Sequence, residues 1–246
     1  NLLVDYCLEV EKGQTLFIQS TVVAEPLIRE VFRLAMRKGA SVDVDLQFRE
    51  QQRIFYAEAS SEEQLAHASP LTETAMKEYD NYLNIRAPFN LREDQSVDSS
   101  KRKKRQNLLE HINKAYFKRT AEEDLTRSLC QFPTQANAQE AAMSLEEYRE
   151  FVFQACRLDS NDPVAAWLEV REEQQRYVDR LNQCETIRYI NPQTDITCSV
   201  KDRTWINSAG RTNMPSGEVF TSPVEDAIEG KIHFDYPAIY MGHEVC

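Results

Sequence analysis

Glycine is scarce in this sequence: six residues in 246, with only Gly13 and Gly39 ahead of Gly210. That scarcity excludes a family of cofactor sites. A dinucleotide site needs glycines in the turn after the first strand, so that backbone amides approach a pyrophosphate. Here that turn reads Ser20-Thr21-Val22-Val23-Ala24-Glu25-Pro26, and no GxxxxGK[ST] run occurs anywhere. The six cysteines, Cys7, Cys130, Cys156, Cys184, Cys198 and Cys246, contain no CxxC pair and are too widely spaced for a small disulfide framework. They read as reduced, mostly buried thiols. Asn-x-Ser/Thr is also absent, and both observations point to a cytoplasmic home. Basic residues are outnumbered, 29 against 40 acidic, for a net charge of −11. A surface of that sign repels a phosphate backbone, so no nucleic-acid partner is expected. No stretch approaches the roughly 18–20 apolar residues of a membrane helix, so none is expected to span a bilayer. The chain begins at Asn1 and not at Met, which suggests a trimmed N-terminus.

Common catalytic signatures are missing too. There is no GxSxG elbow, no HExxH and no HxH pair. The four histidines are His67, His111, His233 and His243. The first two sit in polar helical segments, and His233 alternates within Lys231–Asp235 like a strand-surface residue.

What is present is ordinary globular composition, 41% hydrophobic and 28% charged, arranged with clear periodicity. Leu2–Val10 has helical spacing. Thr15–Gln19 is a short β-rich run. Glu25–Lys38 repeats apolar residues at three and four (Leu27, Ile28, Val31, Leu34, Ala35), and Lys38-Gly39 supplies its C-terminal signal. Val42–Leu46 alternates like a strand, Gln47–Ala59 is helical, and Tyr82–Ile85 and Ser128–Phe132 are two further strands. Strands separated by helices of this length predict a largely parallel sheet. Residues 90–104 are polar, with Ser99-Ser100 expected as a surface connection. The run Lys101-Arg102-Lys103-Lys104-Arg105 leads into a helix with Leu108, Leu109 and Ile112 on one face, and reads as a solvated helix face. Ser144 and Glu147 form a capping box, and Asp162-Pro163 opens a helix whose face is Val164, Trp167, Leu168, Arg171, Tyr177 and Leu181.

Past Cys184 the character changes. Thr186–Asn191 and Ile196–Val200 alternate as strands joined at Pro192, and four of the six glycines fall in the last 37 residues. The predicted organisation is therefore α/β: residues 1–184 as an N-terminal domain with a mainly parallel sheet flanked by helices, and 185–246 as the start of a β-rich domain. A turn is expected at Met241-Gly242, and the chain ends at Cys246 without a finishing element.

One segment carries candidate chemistry. In Thr212-Asn213-Met214-Pro215-Ser216-Gly217-Glu218-Val219-Phe220-Thr221-Ser222-Pro223, two prolines and a glycine fix a turn, and Glu218 follows at the mouth of a strand. A carboxylate on rigid backbone suits metal ligation, because ligand geometry must be set before the ion arrives; the same pattern also describes a solvated loop glutamate.

Asn213–Thr221, followed by Pro223-Val224-Glu225-Asp226 and Gly230, resembles a hallmark of the aminopeptidase T (thermophilic metalloprotease) family. Glu11-Lys12-Gly13, Phe132-Pro133-Thr134, Ala138-Gln139-Glu140-Ala141, Met143-Ser144-Leu145-Glu146-Glu147-Tyr148 and Asp162-Pro163-Val164-Ala165-Ala166-Trp167 are similar to it as well, in order along nearly the whole chain. The resemblance implies a metallo-aminopeptidase that uses two divalent ions (zinc, cobalt, manganese or magnesium), acts on peptides with a free N-terminus, and forms a homodimer. It implies a metal-ligand role for Glu218. The family's other ligands lie farther along than Cys246, so this sequence is expected to be an incomplete, inactive front part, and no general base is assigned. The alternative is a catalytically silent α/β binding or assembly domain that keeps the family shell.

Overall fold

A computed structural model describes residues 1–235 and the strand backbones Ala238–Tyr240 and His243–Val245. The turn expected at Met241-Gly242 and the last cysteine, Cys246, lie outside the described residues. The chain packs as two compact units, one of residues 1–164 with 210–215, the other of 165–209 and the residues from 216 on. Among the described residues no helix is long and apolar enough to cross a membrane.

The first unit is α/β. A wide helical turn, Leu2–Cys7, precedes β1 (Thr15–Thr21), α1 (Glu25–Lys38) and β2 (Ser41–Gln47). Three short helices follow, α2 (Gln51–Glu58), α3 (Glu62–Ala66) and α4 (Pro70–Glu78), then β3 (Asn81–Arg86). Helices α5 (Ser99–Leu108) and α6 (Glu110–Ala121) lead to β4 (Thr126–Gln131), and α7 (Gln135–Glu140) and α8 (Leu145–Ala155) follow it. The strands order as β2-β1-β3-β4, with the short Asn213–Met214 segment (β8 in chain order) against β4; every pairing is parallel.

The parallel sheet forms because β1 is apolar on both faces. Leu16, Phe17 and Ile18 are fully buried, the pattern expected of a strand covered by helices on both sides. Leu16 and Ile18 share their face with Leu83 and Ile85 of β3, while Phe17 points the other way, into a cluster with Ala75 and Met76 of α4 and Ile112 of α6. Fully burying each such side chain is worth about 1.5–3 kcal/mol. Helix α1 ends where the sequence predicted: Gly39 sits at φ 85°, and its N–H donates to Ala35 and Met36 carbonyls. The Ser144–Glu147 capping box at the start of α8 is formed in both directions.

Three local expectations fail. Ser99-Ser100 is not a surface connection but the first turn of α5, because the Asp98 carboxylate accepts from the Ser100 N–H at 2.8 Å and caps the helix. The helical stretch expected from Gln47 starts four residues later, since Gln47 still pairs with Thr21 in the sheet. The basic run is not merely solvated either. Lys101 Nζ donates to the Tyr56 and Ala59 carbonyls at the end of α2, both at 2.8 Å. Arg105 Nη1 donates to the Leu65 and His67 carbonyls at the end of α3, and its guanidinium lies 4.6 Å over the Phe55 ring. These are the carbonyls a helix end leaves without partners, and cations complement the helix dipole there.

Helix α9 (Pro163–Leu181) starts as expected, with Asp162 Oδ1 accepting the Val164 N–H at 3.0 Å. Its buried stripe is Trp167, Gln174 and Val178; Leu168, Arg171 and Tyr177, expected on the apolar face, are exposed. In the second unit the two expected strands, β5 (Thr186–Ile190) and β6 (Asp195–Ser199), pair as an antiparallel hairpin, closed by Asn191 Oδ1 accepting the Gln193 and Thr194 N–H groups. After β7 (Ile206–Ser208), β8 and β9 (Glu218–Phe220), strand β10 (Ile228–Lys231) adds to β6 in the order β10-β6-β5. The last pair is β11 (Ala238–Tyr240) with β12 (His243–Val245).

Candidate metal-ligand segment

The Pro-Ser-Gly-Glu turn is built locally from backbone bonds. Strand β9 pairs antiparallel with β7 in the register Ser208↔Glu218, Asn207↔Val219 and Ile206↔Phe220. The Gly217 N–H donates to the Ser208 carbonyl at 3.1 Å, and Ser216 Oγ donates to the same carbonyl at 2.8 Å. Ser216 Oγ also lies 2.8 Å from Ser208 Oγ. Downstream, Thr221 Oγ1 donates to the Thr204 carbonyl at 2.8 Å. Strand β7 is itself held to α9, where Asn207 Nδ2 donates to the Arg171 carbonyl and to Gln175 Oε1. Gly217 sits at φ 118° with open space where a Cβ would project, so conformation alone requires glycine there.

These contacts hold the Glu218 backbone from both sides and leave its side chain exposed. Among the described residues the Glu218 carboxylate has no hydrogen-bond or ion-pair partner. The neighbouring acid differs. Glu225 pairs with Arg203 at 2.6 Å, and its carboxyl is held below the usual range first by its own backbone N–H and then by that guanidinium. Asp195 is likewise occupied by the Arg188 fork at 2.8 and 2.6 Å. Of the motif's carboxylates with a described side chain, Glu218 is therefore one whose lone pairs remain available.

A divalent ion needs several donors. An exposed, positioned carboxylate fits one oxygen position of such a site. Among the described residues no group of three or more His, Cys, Asp and Glu side chains comes together, so Glu218 belongs to no such cluster there. The histidines do not join it. His67 and His111 belong to the first unit, where His111 Nε2 lies 3.6 Å from Glu73. His233 is past the end of β10 and not on a strand, because its N–H donates to Thr194 Oγ1 at 3.0 Å; its ring faces Asp235 at 3.1 Å. The side chain of His243 lies outside the described residues.

Sequence reasoning singled out Glu218 as a candidate and said nothing of the residues that hold its backbone. Ser208 and Asn207 lie in Asn207-Ser208-Ala209-Gly210, which has no periodicity or motif to mark it. Only the register of β7 on β9 gives them their role.

Comparison with known proteins places these features in context. A family model described as thermophilic metalloprotease (M29) matches residues 1–246. The chain is 27% identical over 276 aligned positions to Aminopeptidase 2 of Geobacillus stearothermophilus, covering 99% of this chain and 64% of that protein. It is 31% identical over 105 positions to Aminopeptidase T of Thermus aquaticus, covering 38% of this chain and 26% of that one. The solved structure of wild-type AmpT from Thermus thermophilus superposes with a TM-score of 0.80 at 22% identity, covering 99% of this chain and 65% of that one. That likeness carries the fold. The chain spans just under two thirds of the length of the relatives it matches end to end.

Proposed function

The chain belongs to the thermophilic metalloprotease (M29) family, and on that premise we propose that it serves a metal-dependent aminopeptidase, with Glu218 as a metal ligand. Family membership carries the expectation of a divalent metal, and relatives named as aminopeptidases support exopeptidase action on peptides with a free N-terminus. The observation that supports Glu218 is its combination of fixed backbone and unpaired carboxylate: the Ser208 carbonyl anchors the two residues before it, and nothing described neutralises its charge.

We further assign residues 1–184 to an N-terminal domain and 185–246 to the first part of the metal-binding domain, in a cytoplasmic homodimer using two divalent ions. Such an ion, when bound, would lower the pKa of a water toward neutrality and polarise the scissile carbonyl. This chain's own contribution is positional. Gly217 turns the backbone, Ser216 and Ser208 fix the turn, and Glu218 presents an oxygen without having to break an existing salt bridge.

The test is hydrolysis of an unblocked leucyl peptide by the protein that carries this sequence, with and without added divalent metal. The N-acetylated peptide and a Glu218→Gln variant run beside it. Metal-dependent cleavage of the free-amine peptide alone, lost in the variant together with bound metal measured by equilibrium dialysis, is the expected result. A folded protein that cleaves nothing with any metal would instead be a silent domain with the family's shell, and full activity in the variant would remove Glu218 from the site.

A further inference from the structure

The first unit contains a second place where chemistry collects. The chain leaves β1 for β2 on one side of the sheet, then crosses to β3 on the other, so the strand order reverses between β1 and β3. In open α/β sheets the crevice outside the carboxyl ends of the strands at such a reversal is where ligands bind. Here that crevice exists: a cavity of about 450 Å³ opens over the ends of β1, β3 and β4, a size suited to a small ligand. A second cavity of about 460 Å³ continues it down the same sheet face and shares Gln19, Asn84 and Arg86.

The lining is unusual for a parallel sheet, whose faces are normally apolar. Gln19, Asn84, Arg86 and Gln131 all project from one face, by the register Gln19↔Asn84 and Arg86↔Gln131. Gln47 and Asn137 complete it. Part of this hydrogen-bonding capacity is unused. Gln19 is engaged at both ends, donating to Asp45 Oδ2 and accepting from the Tyr82 hydroxyl, and Gln131 Nε2 donates to the Arg86 and Phe132 carbonyls and to Asn137 Oδ1; the donors left over are Asn137 Nδ2 and the second Nδ2–H of Asn84, whose first goes to the Tyr82 hydroxyl. The Gln47 side chain has no partner among the described residues. Neither does the Arg86 guanidinium, in a chain carrying 40 acidic residues against 29 basic ones. In such an excess of acid, a guanidinium without a carboxylate beside a polar cavity leaves an anion's place open.

We propose that the crevice at the carboxyl ends of β1 and β3 binds a small carboxylate, gripped by Arg86 and accepting hydrogen bonds from the amide nitrogens of Asn137 and Gln47 and from the second Nδ2–H of Asn84. A guanidinium fork matches the two oxygens of a carboxylate in one plane. A phosphate fits less well. Phosphate sites in such sheets draw on backbone amides of the first βα turn, and here that turn is Val22–Ala24, with the Val23 N–H already taken by Thr21 Oγ1 at 3.3 Å. The inference is independent of metal binding at Glu218, and both can stand or fall separately.

The experiment is calorimetric titration of the full protein with N-acetylalanine, succinate and inorganic phosphate, for the natural sequence, Arg86→Gln, Asn84→Ala and the surface control Lys103→Gln. The carboxylates should bind, with affinity falling about tenfold or more in Arg86→Gln, less in Asn84→Ala, and unchanged in Lys103→Gln. Because Arg86 is exposed, the variant should melt with the natural protein, which a thermal scan checks. Binding of N-acetylalanine alone identifies an amino-acid or peptide carboxylate as the ligand, and binding of succinate as well identifies carboxylates in general. No binding of either at millimolar concentration, equal binding by Arg86→Gln, or phosphate binding as tightly as the carboxylates would overturn the assignment.

Discussion

The basic run offers a sharp test of how this fold closes its helix ends. Lys101 donates to two carbonyls at the end of α2, Tyr56 and Ala59, each at 2.8 Å from Nζ. Lys101→Met keeps the aliphatic stem and removes both bonds. A hydrogen bond to a charged group contributes about 1.5–3 kcal/mol when buried. Lys101 is half-buried, which reduces each bond by screening, so the two together should be worth about 2 kcal/mol. For a unit of this size 1 kcal/mol moves the melting temperature by about 2–4 °C, so the variant should melt about 4–8 °C lower. Lys103 makes the comparison decisive. It sits two residues away in the same helix and the same charge run, it is exposed, and it has no partner among the described residues. Lys103→Met should therefore stay within about 1–2 °C of the natural protein. Both are read by circular dichroism melts at fixed salt. Equal shifts in the two variants, or none in Lys101→Met, would refute the capping account and return the run to a generic charged surface.

Other expectations follow from the same geometry. Gly230 lies at φ 127° opposite Ile196, and a Cβ there would stand 2.1 Å from the Asp195 carbonyl oxygen. Gly230→Ala should cost the second unit about 3 kcal/mol and strip hydrogen-exchange protection from β5 and β6, while β1 stays protected. The thiols should divide by burial. Burial pushes Cys7 up to about 12 and Cys156 up to about 11, and raises Cys130 as well. Iodoacetamide at pH 8 should thus label Cys184 and Cys198 in the native protein, and the three buried thiols only on unfolding, as peptide mass mapping would show. The raised values also fix a sign. Stability from these thiols is complete below their ordinary value of 9.0 and declines as pH rises toward 11–12, because only the unfolded chain ionises in that window. Urea midpoints should accordingly fall between pH 9 and pH 11.

The sequence by itself determined what local physics controls. The ends of α1 were legible because Pro26 and Gly39 act within one turn of the helix, and the α8 capping box because both of its bonds lie within four residues. The parallel sheet was legible because strand-like runs alternate with helix-length segments, and a parallel pair needs a connection of that length. Glu218 stood out for a related reason: the glycine and prolines around it specify the turn without help from elsewhere.

Tertiary structure decided whatever depends on partners distant in the chain. Ser99-Ser100 looked like a linker because nothing in its composition shows that the helix it opens would close α2 and α3, with partners 38 to 45 residues earlier. The face of α9 was misread because Gln174 is buried while Tyr177 is exposed, and a polar amide in a buried stripe defeats periodicity. Ser208 and Asn207 acquired their role only when β7 met β9, and Arg86 met its crevice only when three strands aligned their carboxyl ends. A sequence states which residues can form a turn, a cap or a strand. Which carboxylate stays unpaired and which arginine is left over are settled by the sum of long-range contacts, and no short window of the chain contains that sum.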